Sequence, residues 1–369
     1  MAIRRTIEIS PEMAAPGDAK WSCCSKLPTA YPERATAIEL AWRFANSDMR
    51  VFVAGATGAL GVPVVRGLVQ EGHEVVGLAR TRRRLKQVEA LGAQVTVADA
   101  LDGSALRREL MAIRPEIVVH ALTAIPRRGP LRVSDLDTTN RLRVSGTKNL
   151  LAAAIHAGAR RIVVESMVFI YGFGDLGDAP LTEEAPSPVR TPTGWLRAPI
   201  EALQSEETQI ADARRAGLIE GVVLRFGGFY GPGAGFEEMK QLLRRRALPV
   251  ARRPVSRGVP WIHISDAASA VIAATLQQAP GHCYNIADDA SIPAAELIEY
   301  LASAIGAPRP FAVPNWMLRV AVPFVASAWF ETTLRVSNHK VKTELGWMPK
   351  FPTYRDGITD AIRIQACKA

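Results

Sequence analysis

The 369-residue chain is longer than one small core requires, so one large domain or two coupled ones are expected. Hydrophobic residues at 48% and charged residues at 22% give an ordinary soluble, globular balance. The net charge of +9 raises nucleic acid or a membrane surface, but its sources are scattered over Arg80 to Arg84, Arg244 to Arg246, and Arg252 with Arg253. No aromatic residues interleave these clusters, which leaves solvated faces and one phosphate site, with no nucleic acid partner. Cys23, Cys24, Cys283 and Cys367 follow no metal-ligand spacing and read as free thiols of a reducing, cytoplasmic compartment. No metal site is expected.

In chain order, residues 1–48 carry Pro11, Pro16, Pro28 and Pro32 and only one weakly helical run, and they read as a poorly ordered extension. Periodic patterns begin at Met49. Arg50–Ala54 is a short apolar strand, Gly61–Gln70 a helix, His73–Ala79 a second strand and Gln94–Ala98 a third. A helix over Gly103–Ile113 leads to a strand at Glu116–Ala121. A helix over Asn140–Ala157, a strand at Arg161–Glu165, a helix over Glu206–Ala216 and a strand at Gly221–Phe226 follow. Strands alternating with helices imply an α/β fold, a Rossmann doubly wound parallel sheet. Beyond Gly231 prolines and short elements point to a smaller C-terminal α/β substrate lobe. The expected domains are 49–230 for the sheet and 231–369 for the lobe, with 261–278 returning to the sheet. The apolar stretch Trp316–Phe330 is interrupted by Arg319 and Pro323 and is shorter than the roughly 20 residues of a membrane span. It reads as a substrate-side helix or an oligomer contact, with no membrane partner. Nothing at the N-terminus has the basic-then-apolar pattern of a secretion signal.

The first strand runs into Gly55-Ala-Thr-Gly58-Ala-Leu-Gly61 and then a helix. Gly55 permits a tight turn, Gly58 lets the backbone approach a pyrophosphate, and Gly61 lets the helix sit close to the strand. The helix N-terminus offers N–H groups and positive dipole to phosphate. A dinucleotide site therefore takes in Gly55, Thr57, Gly58, Ala59, Leu60 and Gly61. At the end of the second strand, where NAD(H) binding calls for a carboxylate on the ribose hydroxyls, stand Ala79 and Arg80, with Arg82, Arg83 and Arg84 beyond. Guanidinium groups grip a 2′-phosphate, so NADP(H) is favoured over NAD(H). Asp99, with Ala100 beside it, either accepts from the adenine amino group or caps its loop. His120, Ala121 and Leu122 end the fourth strand, where the carboxyl edge of the sheet meets the cofactor.

Further pieces follow in order: Ser145-Gly-Thr-Lys-Asn-Leu-Leu151, Glu165-Ser166 with Tyr171-Gly172, Leu224-Arg-Phe-Gly-Gly-Phe-Tyr-Gly-Pro-Gly233, Trp261-Ile-His-Ile-Ser-Asp266, Tyr284-Asn-Ile-Ala287 and Lys342-Thr-Glu-Leu-Gly-Trp347. Over about residues 49–365 the chain resembles the extended short-chain dehydrogenase/reductases, the NAD-dependent epimerase/dehydratase family. The resemblance implies a cofactor on the first lobe, a small hydroxyl or carbonyl substrate on the second, and a homodimer through two sheet-flanking helices. It also implies a catalytic tyrosine four residues before a lysine, and that pair does not carry over: none of the six tyrosines has a lysine at that spacing. No lysine occurs between Lys148 and Lys240.

Two neighbouring positions also depart from the family pattern. Arg143 stands where the family has asparagine, and the family's catalytic serine or threonine aligns with Ser166 or Met167. The remaining catalytic candidates are Ser166 and Tyr171, the latter either a substitute acid or a residue packed beneath the cleft. His263 and Asp266 match a family pattern that is mainly structural. Arg225 and the Gly227-Gly228 turn are expected at the boundary of cofactor and substrate, and Trp195, Phe229, Trp261 and Trp316 are available as pocket walls. Three readings stay open: an atypical NAD(P)-dependent oxidoreductase in which the cofactor carries the hydride, a non-redox isomerase, dehydratase or cyclase, and an NADP(H)-sensing regulator.

Overall fold

The computed structural model describes residues 48–126, 129–189, 194–252 and 255–366. The extension expected over residues 1–48 therefore lies, apart from Asp48, outside the described residues, as do Cys23, Cys24, Cys367 and Arg253. Seven parallel strands form the main sheet: β1 (Arg50–Ala54), β2 (Glu74–Ala79), β3 (Gln94–Val97), β4 (Ile117–His120), β5 (Arg161–Met167), β6 (Glu220–Phe226) and, far along the chain, β10 (Cys283–Ile286). Their order across the sheet is β3-β2-β1-β4-β5-β6-β10, every pair parallel. The winding reverses between β1 and β4, and ligands of such sheets bind at the carboxyl edge of that switch point.

Strands covered on both faces read as nearly unbroken apolar runs, and Val51-Phe52-Val53-Ala54 and Ile117-Val118-Val119 are fully buried. Their odd and even residues feed two separate cores. Val51, Val53 and Val163 meet α1 (Gly61–Gln70) and a helix that returns from the second lobe, Ile264–Leu276. Phe52, Ala54, Ile162 and Val164 meet α2 (Gly103–Ile113), α4 (Thr147–His156) and α5 (Arg197–Arg215). Each fully buried leucine, valine or phenylalanine contributes about 1.5–3 kcal/mol by removal from water. Asp102 starts α2 as its cap, with Oδ1 accepting from the N–H groups of Ser104 and Ala105 at 3.0 Å.

Two helices differ from the sequence expectation. The helix expected over Asn140–Ala157 is α3 (Asp137–Arg141), then a π-turn over Leu142–Gly146, then α4. Hydrophobic periodicity cannot register one wide turn inside a helix. The helix expected from Glu206 begins nine residues earlier, at Arg197. Pro199 falls in its first turn, where no intrahelical N–H is needed.

The second lobe is built from β7 (Gly228–Tyr230), α6 (Phe236–Arg244), β8 (Val250–Ala251), β9 (Val259–His263), β11 (Ser291–Ile292), α8 (Ala294–Ala304), β12 (Ala312–Val313) and α9 (Asn315–Ala321). Its sheet runs β11-β9-β7, and it has its own core around Trp261, Leu297 and Ile358. The return to the first lobe extends past residue 278: helix α7 (Ile264–Leu276) packs on α1, and β10 adds the seventh strand. Trp316–Phe330 breaks into α9 and two further short turns. Among the described residues no helix is long and apolar enough to cross a membrane.

Candidate active site

Gly55 closes the turn after β1 with φ +93°, a left-handed value that a side chain resists. A Cβ there would lie 2.1 Å from the Ala121 carbonyl oxygen, so the β1 and β4 ends touch backbone to backbone. A Cβ on Gly61 would meet the Gly55 carbonyl oxygen at 2.1 Å, which fixes the start of α1 against the turn. Gly58 is different. Its N–H donates to the Gly55 carbonyl at 2.9 Å, and a Cβ would come only to 3.2 Å of that oxygen. The fold's own demand for glycine is weaker at 58 than at 55 or 61, though a Cβ would still crowd the Gly55 carbonyl, and a group lying on the loop would need the bare backbone. Helix α1 begins after Leu60 with no side-chain cap and no acidic residue in its first turn. Val62 and Val64 donate to the Gly58 and Leu60 carbonyls and Pro63 has no N–H, so the donors left to suit an anion are those of Ala59, Leu60 and Gly61 at its start. On these observations the loop fits a dinucleotide pyrophosphate, held by Gly55, Thr57, Gly58, Ala59, Leu60 and Gly61.

At the end of β2 Ala79 is buried, while Arg80, Arg82 and Arg84 are exposed and have no ion-pair partner among the described residues. Asp99 is exposed and caps its own loop through Oδ1, which accepts from the Leu101 N–H at 3.0 Å. Ala100 is buried, and its carbonyl accepts from Asn149 at 3.0 Å. Gly227 is required by packing, since a Cβ would strike the Pro260 carbonyl oxygen at 2.8 Å. On that side its bare backbone faces β9.

The expected proton donors are both committed elsewhere. Ser166 is fully buried, and its hydroxyl donates to Glu207 on α5 at 2.6 Å. Tyr171 is also fully buried. Its hydroxyl lies 3.0 Å from both the Asn285 Oδ1 and the Thr182 carbonyl oxygen, which share its one proton, and receives the Arg225 Nη1 hydrogen bond at 2.8 Å. Burial pushes its pKa up to about 12 against the pull of Arg225. Arg225 in turn grips Glu207 through Nε at 3.0 Å and Nη2 at 2.7 Å. Tyr171 is therefore a tie between β5, β6 and β10. That enclosure sets its hydroxyl among protein groups of β6 and β10.

His263 caps α7, its Nδ1 accepting from the Ser265 N–H at 3.3 Å, and burial lowers its pKa to about 4. Asp266 accepts from the Phe351 N–H at 2.9 Å. Of the aromatic residues considered as walls, Trp261 is buried and stacks on Trp329 at 4.6 Å between ring centres. Trp195 and Trp316 are exposed, the latter to 64%, so neither closes a pocket.

The π-turn assembles a set of groups that sequence reasoning only half found. It turns Arg143 inward to 5% exposure beside Glu206 on α5, with Nε 3.5 Å from Oε2. Leu122 donates its N–H to His120 Nδ1 at 3.3 Å, which leaves Nε2 to donate to Thr147 Oγ1 at 2.9 Å. Thr147 then donates to Glu206 Oε1 at 3.3 Å, and Glu206 Oε2 has no hydrogen-bond partner. Burial, helped by Arg143, lowers His120 to about 4, so its ring is neutral. Burial raises Glu206 well above the usual carboxylate range despite Arg143. Glu165, two residues before the end of β5, is raised by burial to about 7, with Arg143 pulling it back. One turn and two turns before Glu206 on the same helix face stand Ala202 and Ala198. The signal for Glu206 was its spacing: with Pro199, Ile200, Leu203, Ile210 and Ala213 it occupies the buried stripe of α5. That stripe is invisible when the helix is started at 206.

Residues 51–287 match the NAD dependent epimerase/dehydratase family. The chain is 36% identical over 315 residues to a 3-diazoavenalumate denitrifying reductase of a Streptomyces species, covering 84% of this chain and 99% of that protein. It is 28% identical over 281 residues to the 2-alkyl-3-oxoalkanoate reductase of Stenotrophomonas maltophilia, covering 71% of this chain and 77% of that protein. Among solved structures, UDP-glucose 4-epimerase of Thermotoga maritima with UDP-glucose superposes with a TM-score of 0.69 at 18% identity. The match covers 87% of this chain and 99% of that one. At that identity the likeness shows the fold.

Proposed function

The chain belongs to the NAD-dependent epimerase/dehydratase family and is an NAD(P)-dependent oxidoreductase, and from that premise we propose that it reduces a diazo-substituted carboxylate with NADPH, releasing dinitrogen. The observation that carries this reading is the identity to a denitrifying reductase along nearly its whole length. The chemistry agrees with the site. Carbonyl reduction places charge on an oxygen and calls for an acid such as the family's tyrosine. A hydride delivered to the terminal nitrogen of a diazonium group gives a neutral diazene, so no oxyanion arises and the tyrosine–lysine pair is dispensable.

When bound, the reduced nicotinamide supplies the hydride. The chain's part is to hold the pyrophosphate on Gly55 to Gly61 and the 2′-phosphate on Arg80, with Arg82 and Arg84 beside it. His120, Ala121 and Leu122 carry the cofactor across the switch point, and Asp99 and Ala100 flank the adenine. The preference for NADP(H) is read from the unpaired arginines at the end of β2 and from the absence of a carboxylate there. We place the protein in the cytoplasm as a homodimer, which light scattering checks.

Stopped-flow measurement of NADPH oxidation with diazo-substituted aromatic acids and, in parallel, 3-oxo acids tests the substrate. Nitrogen release with the diazo acids is expected; oxidation by the oxo acids alone would replace this reading by carbonyl reduction, as in the Stenotrophomonas relative. Arg80→Glu should weaken NADPH by about 10-fold or more while sparing NADH, since a charge-assisted hydrogen bond is worth about 1.5–3 kcal/mol.

A further inference from the structure

A reductive loss of nitrogen still has to move one proton, and the groups expected to do so are sealed. Glu165 is not. Val164 pairs with His120, the last residue of β4, so Glu165 stands at the carboxyl edge of the sheet. Ser166 turns to Glu207 on α5, and strand alternation sends Glu165 to the opposite face, the one shared by Val163 and Met167. The side chain is only 8% exposed, yet its carboxyl has no hydrogen-bond partner among the described residues. Its oxygens are also not among the fully enclosed orphans, as Glu206 Oε2 is. A carboxyl kept bare at such burial costs stability unless something else uses it.

The charged and titratable groups around it are few. Arg143 in the π-turn acts through its charge and favours the ionised carboxylate, and the charge of Glu206 on α5 opposes it. His120 on β4 is neutral, and Arg225 on β6 is committed to Glu207 on the other face. Helices α1 and α7 bring apolar residues to the core around Val163. Burial outweighs Arg143 and holds Glu165 near the pH at which a carboxyl both takes and gives a proton.

We propose that Glu165 is the proton carrier of the denitrifying reduction, a role that rests on the diazo-reductase reading above. In its diazonium form the substrate R–N≡N⁺ accepts a hydride at the terminal nitrogen and becomes R–N=N–H. The Glu165 carboxylate takes the N–H proton, the carbon–nitrogen bond breaks with its electron pair left on carbon, and dinitrogen departs. The carbon then takes the proton from the Glu165 carboxylic acid, giving R–H and returning Glu165 to its ionised form. The two electrons of the bound nicotinamide are the only reductant required.

The test is Glu165→Gln in the full chain, with NADPH affinity, nitrogen release and the carboxyl infrared band measured together. The expected variant binds NADPH as the wild type does and releases nitrogen about 100-fold or more slowly. It also loses the wild-type rise in rate through about pH 7. Glu165→Asp should restore part of the rate with a displaced pH limb, which a purely structural role would not produce. A protonated-carboxyl band titrating near pH 7, moved by NADPH and missing from Glu165→Gln, is the expected signature independent of turnover. Normal nitrogen release by Glu165→Gln, or no such band in the wild type, overturns the role alone. No release by the wild type from any diazo acid overturns the role and the substrate reading together.

Discussion

Tyr171 shows how a motif residue can be retained with its chemistry withdrawn. Its hydroxyl joins Asn285, Thr182 and Arg225, so Tyr171→Phe strands the buried arginine and amide ends. Urea unfolding should show a loss of about 1–3 kcal/mol, with turnover per folded molecule unchanged; a collapse of kcat at equal stability would put the tyrosine back in the reaction. Glu165 behaves oppositely. Its carboxyl is raised to about 7 by burial, so the fold tolerates it better protonated than ionised and loses stability as pH rises from about 4.5 through about 7. The full difference is about 3 kcal/mol. Glu206 adds to the same trend, whereas His120 and His263, both held low, lose stability as pH falls below the ordinary histidine range. The readout is therefore the difference between Glu165→Gln and wild type in melting temperature across that window. A difference that stays flat would refute the shift.

At the scale of elements, the π-turn over Leu142–Gly146 places a guanidinium against the buried acid of α5. Arg143→Leu removes the one cation whose charge acts on both Glu206 and Glu165. Breaking a buried pair this way costs about 3–5 kcal/mol, to be read from equilibrium unfolding, and Arg143→Lys should recover part of it. A change below 1 kcal/mol would mean that the arginine carries no such load. The sequence disclosed β1, α1, β2 and the glycine turn between them, because apolar runs and the spacing of Gly55, Gly58 and Gly61 are local signals. It disclosed Arg143 only as a departure from a pattern. It could not disclose the π-turn, the early start of α5 at Arg197, or the meeting of Glu206 with Thr147 and His120. Those depend on which faces of distant helices are pressed together, and single-helix periodicity does not carry that information. Ser166, expected just after its strand, lies inside β5, which runs on to Met167, and the partners of Ser166 and Tyr171, Glu207 and Asn285, are distant in sequence.

The whole molecule couples ligand binding to stability through the switch point, since the ends of β1 and β4 and the start of α1 share one small volume around Gly55. NADPH at about 100 times its Kd should raise stability by about 2.7 kcal/mol, visible as an upward shift in melting temperature that NADH at equal concentration does not match. Equal shifts from both would remove the preference for the phosphorylated cofactor. The same scale holds a consequence for the order in which the chain is made. The main sheet is completed by β10, which the ribosome delivers only after β7, α6, β9 and α7. Until then β6 is an open edge, with a row of unpaired amides able to take a strand from any nascent neighbour. During synthesis the growing chain must therefore shelter that edge, and the second lobe's first elements are what is at hand to cover it.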